Sequence, residues 1–565
     1  MEFSYKKNNN IELFNELSDP KLVDIENLQN YIPIYNNFFN LNNNNFNSIN
    51  LNNNHMLNSV TEKLSYSKFN GSIIDDSNNI INKQIFFKFS PLIDPVKYML
   101  GKYDNSYSIL NLPKFTNNEE VNNKMLDNNN SAYIDGFFSF LSSLLLNNYD
   151  FLNGIDFYGS FLGIKKNFIV DIEDELEYLD DSEFFYKNNN ILFNIKETEN
   201  LKNFFNNTKK YKKALVIDDK DILDEELKID NIINNKDNLN EIELLENKDL
   251  KIEYTKDLNE NNINKKKVRT NEQNESESSC SSRSSNTESS DNEDSDNEDD
   301  TSESESESDS QEEEIYANIF KFPVQTIALE CCDDTLDTYV SNNKIKDNEW
   351  ESIIAQIVFS LITYQTVFDF THNDLHTNNI VYNNTEKKYL YYKYDNKHYK
   401  IPTFGKLYKI IDFGRAIYKF KGNIICSDSY APDGDAHTQY NTEPYLNENK
   451  SRLEPNKSFD LCRLGCSLYD YLIENIEDIK KIKSPIKKII IGWVYDDTNR
   501  NILYKNNGSE RYPDFKLYKM IARTVHNHKP NDVIKNTLFE KYLIAKKKIN
   551  NQSAIFNIDK LPILI

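Results

Sequence analysis

Glycine and proline are scarce in this chain, 13 and 14 among 565 residues. Gly71 is the only glycine ahead of residue 88, so no glycine-rich phosphate loop is recognisable in the first part of the sequence. The six cysteines, at 280, 331, 332, 426, 462 and 466, contain no CxxC pair and no secretory framework. The adjacent Cys331 and Cys332 do not readily make a zinc corner, and Cys462 with Cys466 has the spacing of helix packing. A reducing, intracellular (cytoplasmic) compartment is therefore expected. No run of about 18 apolar residues occurs, and the opening MEFSYKKNNN is not a signal peptide, so no membrane span is expected.

What is abundant is asparagine, lysine, isoleucine, tyrosine and phenylalanine; 38% of residues are hydrophobic and 13% aromatic. Runs such as Asn42–Asn45 and Asn128–Asn130 read as loop filler from an AT-rich genome. The formal charge of −24 is concentrated: between Glu272 and Glu314 stand 18 acids and one arginine, leaving about −7 elsewhere. Binding of nucleic acid through bulk phosphate neutralisation is not expected from such a balance. The acidic tract has no aromatic residue and cannot bury enough apolar surface to offset its ordering entropy, so it is expected to be disordered. Many of its serines have acids one to three residues downstream, as in Ser302-Glu-Ser-Glu-Ser-Glu-Ser-Asp-Ser310. They suit an acidophilic kinase, and their phosphorylation would create a regulatory or partner-binding segment.

Along the chain, residues 1–60 read as an Asn-rich extension. Gln84–Ser90 and Ile155–Gly163 predict strands, and Ala132–Asn147 predicts a buried helix. Residues 176–315 form an acidic, low-complexity insertion. Val324–Glu330 predicts a strand, Asn348–Phe370 a long helix, and Phe459–Ile473 a buried helix. The aromatic stretch Tyr389–Tyr399 predicts an extended hairpin.

The chemistry-bearing passages are Thr371-His-Asn-Asp-Leu-His-Thr-Asn-Asn-Ile-Val-Tyr382 and Lys409-Ile-Ile-Asp-Phe-Gly-Arg415. An acid, Asp374, stands five residues before an amide, Asn379, on a loop that then enters a strand. A second acid, Asp412, stands where an apolar strand ends at a glycine turn. Phosphoryl transfer needs such groups because the protein contributes mainly position and charge neutralisation.

These residues resemble the protein-kinase superfamily. His372, Asp374 and Asn379 match its H-x-D-L-x-x-x-N, and Asp412-Phe413-Gly414 matches its DFG. Ser458–Asp470 resembles its central C-lobe helix, where Asp460 would hold the catalytic loop. Ala328–Leu336 resembles the last N-lobe strand and hinge, where Glu330 and Cys332 would receive adenine. The resemblance implies an α+β, bilobal fold, with a small β-rich N-lobe and a large helical C-lobe. Its N-lobe would span 61–175, with the last strand and hinge at 316–345, a C-lobe at 346–550 and a tail at 551–565. It further implies ATP and Mg²⁺ as cofactors and phosphoryl transfer to serine or threonine of a protein substrate. Asp374 would be the catalytic base, Asn379 and Asp412 the metal ligands, and Lys88 the phosphate-binding lysine. His372 and Gly414 would support the site. Asp135 is the candidate ion-pair partner for Lys88, because the helix expected to supply a glutamate offers none.

Asn373 and His376 replace the arginine and lysine common in the family, and no Ala-Pro-Glu closes the activation segment. A pseudokinase acting as a scaffold, and a small-molecule kinase on the same fold, are the alternatives. The run Lys88-Phe-Ser-Pro-Leu-Ile-Asp-Pro-Val-Lys-Tyr-Met-Leu-Gly-Lys102, the composition and the long insertion resemble kinases of large nucleocytoplasmic DNA viruses. Host cytoplasm or virion is then the expected location.

Overall fold

The computed structural model describes residues 3–103, 108–116, 118–195, 315–473, 476–550 and 553–565. The expected disorder of the acidic tract falls on 196–314, outside the described residues.

The chain is α+β. The strands before the long gap are β1 (Tyr5–Lys7), β2 (Ile25–Gln29), β3 (Ile49–Leu51), β4 (His55–Lys63), β5 (Lys68–Asp75), β6 (Ile80–Pro91), β7 (Phe157–Asp171) and β8 (Phe193–Ile195), with β9 (Tyr316–Glu330) resuming after it. Seven of them make one sheet in the order β2-β7-β9-β6-β5-β4, with β8 also pairing β9. Every pairing in it is antiparallel. β7 and β9 are long because apolar residues recur on both of their faces, whereas β6 is buried only from Ile85 onward.

Helix α1 (Ser131–Tyr149) lies on one face of this sheet. The Asn130 side chain caps its start by accepting from the Ala132 N–H, and it ends at Asp150 in the left-handed region, φ 60°. Gly136 is required there, since a Cβ would collide with the Gln325 side chain on β9. Phe161 of β7, on the opposite face, meets Phe14 of the short helix Ile11–Leu17, ring centroids 5.2 Å apart.

Residues 1–60 are therefore more than an extension. β2 is the edge strand beside β7, β4 begins at His55, and β1 pairs β3. Asparagine-rich composition concealed this because scattered Ile, Leu and Phe carry the packing while the asparagines occupy turns. Asn10, for instance, takes φ 53° ahead of the helix Ile11–Leu17. Similarly, residues 176–195 of the supposed insertion fold, with β8 pairing β9 through Phe193↔Ile319.

Downstream, α2 (Asp347–Phe368) is buried in the same continuous core as the sheet, tied to α1 by the Ser142–Tyr364 hydroxyl pair at 2.7 Å. It is apolar and long enough to cross a membrane, but 94% of its apolar window is buried within the fold. Strands β10 (Asp334–Thr335), β11 (Ile380–Asn384) and β14 (Lys406–Ile410) form a small sheet. The hairpin β12 (Tyr389–Tyr394) and β13 (Lys397–Pro402) is the predicted aromatic one; Tyr392 stacks on Phe359 of α2 at 4.2 Å. A last hairpin joins β15 (Ile417–Phe420) and β16 (Asn423–Cys426). The tail from 553 onward is integrated, since β17 (Phe556–Asn557) pairs β12 and the Leu564 N–H donates to the Val367 carbonyl. Helices α3 (Phe459–Leu472), α4 (Pro485–Gly492) and α5 (Phe515–Thr524) complete this part.

Candidate active site

Lys88 lies on β6 opposite Ile327 of β9, on the face that carries α1. Its Nζ stands 2.6 Å from Asp135 Oδ2 and 2.7 Å from Asp412 Oδ1. One ammonium thus joins the sheet, the helix and the loop that follows β14. Asp135 also accepts the Phe413 backbone N–H at 2.8 Å through its other oxygen. The short acid is sufficient because α1 approaches the sheet closely at Gly136, one residue along. Asp135 is only 2% exposed, and burial pushes its carboxyl above the ordinary carboxylate range. Burial acts the same way on Asp412, but Lys88 outweighs it and holds that carboxyl below its usual value.

Asp412 has φ 65°, which lets its carboxylate turn toward Lys88 while Phe413 turns inward. Phe413 is fully buried among Phe138 of α1, 4.6 Å away, His372 at 5.7 Å and Phe370 at 6.0 Å. Gly414 has room for a side chain, the nearest atoms to a Cβ being 3.6 and 3.7 Å away, so space alone does not demand glycine there.

The loop carrying Asp374 is fixed from below. Asp460, on the first turn of α3 and fully buried, accepts from the backbone N–H of His372 at 3.0 Å and of Asn373 at 2.9 Å. The His372 ring bridges two chain segments, Nε2 to the Ile411 carbonyl at 3.0 Å and Nδ1 to the Asp374 N–H at 3.3 Å. Only the Nε2–H tautomer satisfies both. Asn379 donates from its amide to the Asp374 carbonyl at 2.9 Å, with His376 Nε2 at 3.1 Å from the same nitrogen. Its nitrogen is thereby used, and the oxygen is the part left to meet a cation.

Asp374 Oδ1 accepts from the Tyr518 hydroxyl at 2.7 Å, with Arg463 Nε 3.9 Å away. Burial pushes Asp374 up, yet the nearby cationic groups and the Tyr518 hydrogen bond prevail and hold it well below the carboxylate range. His376 heads those cationic groups, but burial lowers His376 to about 4, so at neutral pH the charge comes from Arg415 and Arg463.

Glu330 and Cys332 sit at the end of β9 and just beyond it. The Glu330 side chain is occupied structurally, paired with buried Lys409 and accepting from Asp156 N–H at 2.8 Å and Asn383 Nδ2 at 2.8 Å. Burial raises the Cys332 thiol well above its usual value, which disfavours its thiolate. Any role for these two in binding falls to their backbone groups.

Two features escaped the sequence reading. Asp428, 5% exposed, accepts from Lys124 Nζ at 2.5 Å and from the Ser131 N–H at 3.0 Å, clamping the segment after β16 onto the start of α1. Tyr518, Arg415 and Arg463 surround Asp374, and nothing in the spacing of Tyr518 marks it. The turn joining β4 to β5 is Leu64-Ser-Tyr-Ser67, without glycine; its Tyr66 packs on Phe89, 5.3 Å away, on the face away from Lys88. Gly71 lies within β5, where a Cβ would collide with the Ser59 carbonyl oxygen, so its role is close strand packing. Among the described residues no group of three or more His, Cys, Asp or Glu is arranged to hold a metal by itself.

No family model matches the chain. A mimivirus protein (Acanthamoeba polyphaga mimivirus) provisionally named serine/threonine-protein kinase R301 is 26% identical over 198 residues, 33% of this chain and 46% of that protein. A Dictyostelium discoideum protein, also provisionally named a serine/threonine-protein kinase, is 33% identical over 99 residues, 16% of this chain and 8% of that protein. The chain thus spans less than half the length of the curated relatives it matches. The similarity is kinase-like. It is partial.

Proposed function

We propose that this chain is a divergent protein kinase with a bilobal fold, transferring the γ-phosphoryl group of ATP to serine or threonine hydroxyls of a protein substrate. The observation that carries the reading is the Lys88 ammonium shared between Asp135 of the helix and Asp412 of the DFG sequence. That three-way contact is what a kinase needs to bring phosphate, metal and helix into register. The sheet order β4-β5-β6-β9-β7, with the lysine on its third strand, supports the same reading, as do the two partial relatives.

Asn379 and Asp412 would hold Mg²⁺. Both offer hard oxygen atoms, and a cation with few protein ligands suits magnesium, which keeps waters and takes phosphate oxygens. When bound it neutralises the developing phosphate charge. The chain's own residues do the rest: Lys88 orients the phosphates, Asp374 accepts or orients the acceptor proton, and the backbone near Glu330 and Cys332 receives adenine. The serine-rich segment at 276–310 would be a target for an acidophilic kinase or a phosphate-dependent partner, in an intracellular setting.

The test is thermal denaturation with ATP, with and without Mg²⁺, followed by phosphate incorporation into generic protein substrates alongside Asp412→Ala. A Mg²⁺-dependent rise in the midpoint, with labelling lost in the variant, is expected. A second reading is favoured by the glycine-free β4–β5 turn, which offers no flap over the phosphates: a scaffold that does not transfer phosphate. It predicts no labelling, whether or not ATP raises the midpoint. A small-molecule kinase would release ADP with small acceptors and label no protein.

A further inference from the structure

We propose that Tyr518 is a positioning residue for Asp374, fixing its Oδ1 so that Oδ2 is the oxygen presented to the acceptor hydroxyl. The inference rests on the kinase reading and adds a residue that lies 144 positions downstream of the acid it serves.

The direction of the hydrogen bonds follows from chemistry. Arg463 Nε lies 2.9 Å from the Tyr518 oxygen, and a guanidinium can only donate. The phenol oxygen accepts from Arg463, so its own proton goes to Asp374 Oδ1, 2.7 Å away. The relay Arg463–Tyr518–Asp374 therefore has one sense, and the acid at its end stays an acceptor. The phenol is itself held. Its ring stacks on Phe515 at 5.3 Å, and the Arg463 and Arg415 guanidiniums lie 5.1 and 5.7 Å from its centroid. It is 5% exposed, so it has little freedom to leave.

A carboxylate on a loop can rotate about its χ2 angle, and an acid that must meet an acceptor in line gains from losing that freedom beforehand. The Asp374 backbone is fixed through His372 and Asp460, but those contacts leave the carboxylate plane unset. Tyr518 sets it. In the transfer step the acceptor oxygen bonds to the γ-phosphorus while the bridging bond to ADP breaks with its electron pair. The acceptor proton passes to Asp374 Oδ2 and on to solvent.

Tyr518→Phe removes the phenol proton and keeps the packing. Measured on the full chain with ATP, Mg²⁺ and histone as acceptor, kcat is expected to fall about 10-fold, the scale of one lost hydrogen bond to a charged group. KM for ATP and the ATP-induced thermal shift should stay as in the unaltered chain. Unchanged kcat, with the unaltered chain active, removes Tyr518 from the mechanism and leaves the kinase reading standing. A parallel loss of ATP binding and of the unfolding midpoint in Tyr518→Phe would mean a purely structural role. Phosphate found on Tyr518 itself after incubation with ATP would make it an internal acceptor and overturn the proposal. If the unaltered chain and Asp374→Asn are equally inert, the kinase reading itself falls, and the proposal with it.

Discussion

The two faces of the main sheet treat a buried lysine in opposite ways. On the face covered by α1, Lys88 has a carboxylate on either side, at 2.6 and 2.7 Å. On the other, Lys165 of β7 is 4% exposed, lies 5.2 Å from the rings of both Tyr66 and Phe89, and donates to the Lys166 carbonyl at 2.8 Å. Burial lowers Lys165 to about 8, a sign that its charge is poorly compensated. The same sheet thus puts acids in direct contact where a charge has a proposed task, and aromatic rings and a carbonyl, with Asp24 only at longer range, where it does not. A buried ion pair is weak evidence of stability but good evidence that a charge is being kept in place.

The sharpest way to break this contrast is Lys88→Met. It strands buried Asp135 and partly exposed Asp412, and removing the partner of the buried acid costs on the order of 3–5 kcal/mol when no proton compensates. Burial already pushes the Asp135 carboxyl upward, so proton uptake there once Lys88 is gone should offset part of that loss in urea denaturation. Phosphate transfer, if the proposed function holds, should drop by at least about 100-fold, since the phosphates lose their lysine. A variant of near-normal activity would show that Lys88 only staples α1 to the sheet. Asp135→Asn is the next step down. It keeps an acceptor for the Phe413 N–H but loses the charge that pairs with Lys88, so a fall of about 10-fold in transfer is expected, with the fold intact.

How much of this was legible in the sequence depends on the kind of constraint. His372, Asp374, Asn379, Asp412 and Asp460 stand in short, ordered spacings, because a loop held by backbone hydrogen bonds tolerates little change in length. Lys88 could be found because an aromatic strand frames it. Asp135 was harder, since its fitness depends on how closely Gly136 lets α1 approach Gln325, a distance no spacing encodes. Tyr518 and the Asp428–Lys124 clamp left no local pattern at all. The β-structure of residues 3–63 was masked by asparagine, which is poor in strands but suits the many turns between them.

Lys165→Met sharpens the other side of the comparison. Replacing a lysine that lacks a carboxylate partner with an apolar chain of similar length should stabilise the fold by about 1 kcal/mol in urea at neutral pH. The pH dependence has a definite sign. The unfolded lysine holds its proton to about 10.5 but the folded one only to about 8, so unfolding takes up a proton between those values. Lys165 should therefore add stability as pH rises through that window, and Lys165→Met should flatten the rise. An unchanged slope would mean that the ammonium reaches water through local opening.

The smallest effect is expected at the β4–β5 turn, where the comparison bears directly on nucleotide grip. Ser65 accepts from the Lys68 N–H through its hydroxyl at 3.1 Å, and Tyr66 lies across the outer face with its hydroxyl taking the Ile169 N–H at 3.1 Å. Both interactions hold the turn against the sheet and away from the face that carries Lys88. A glycine introduced there, Ser65→Gly, loosens a turn held on the outer face, so KM for ATP, if the proposed function holds, should change by less than about 2-fold, with only a few tenths of a kcal/mol lost in stability. A rise in KM several times larger would show that this turn folds down over bound nucleotide. The outer face would then serve the same site as the inner one.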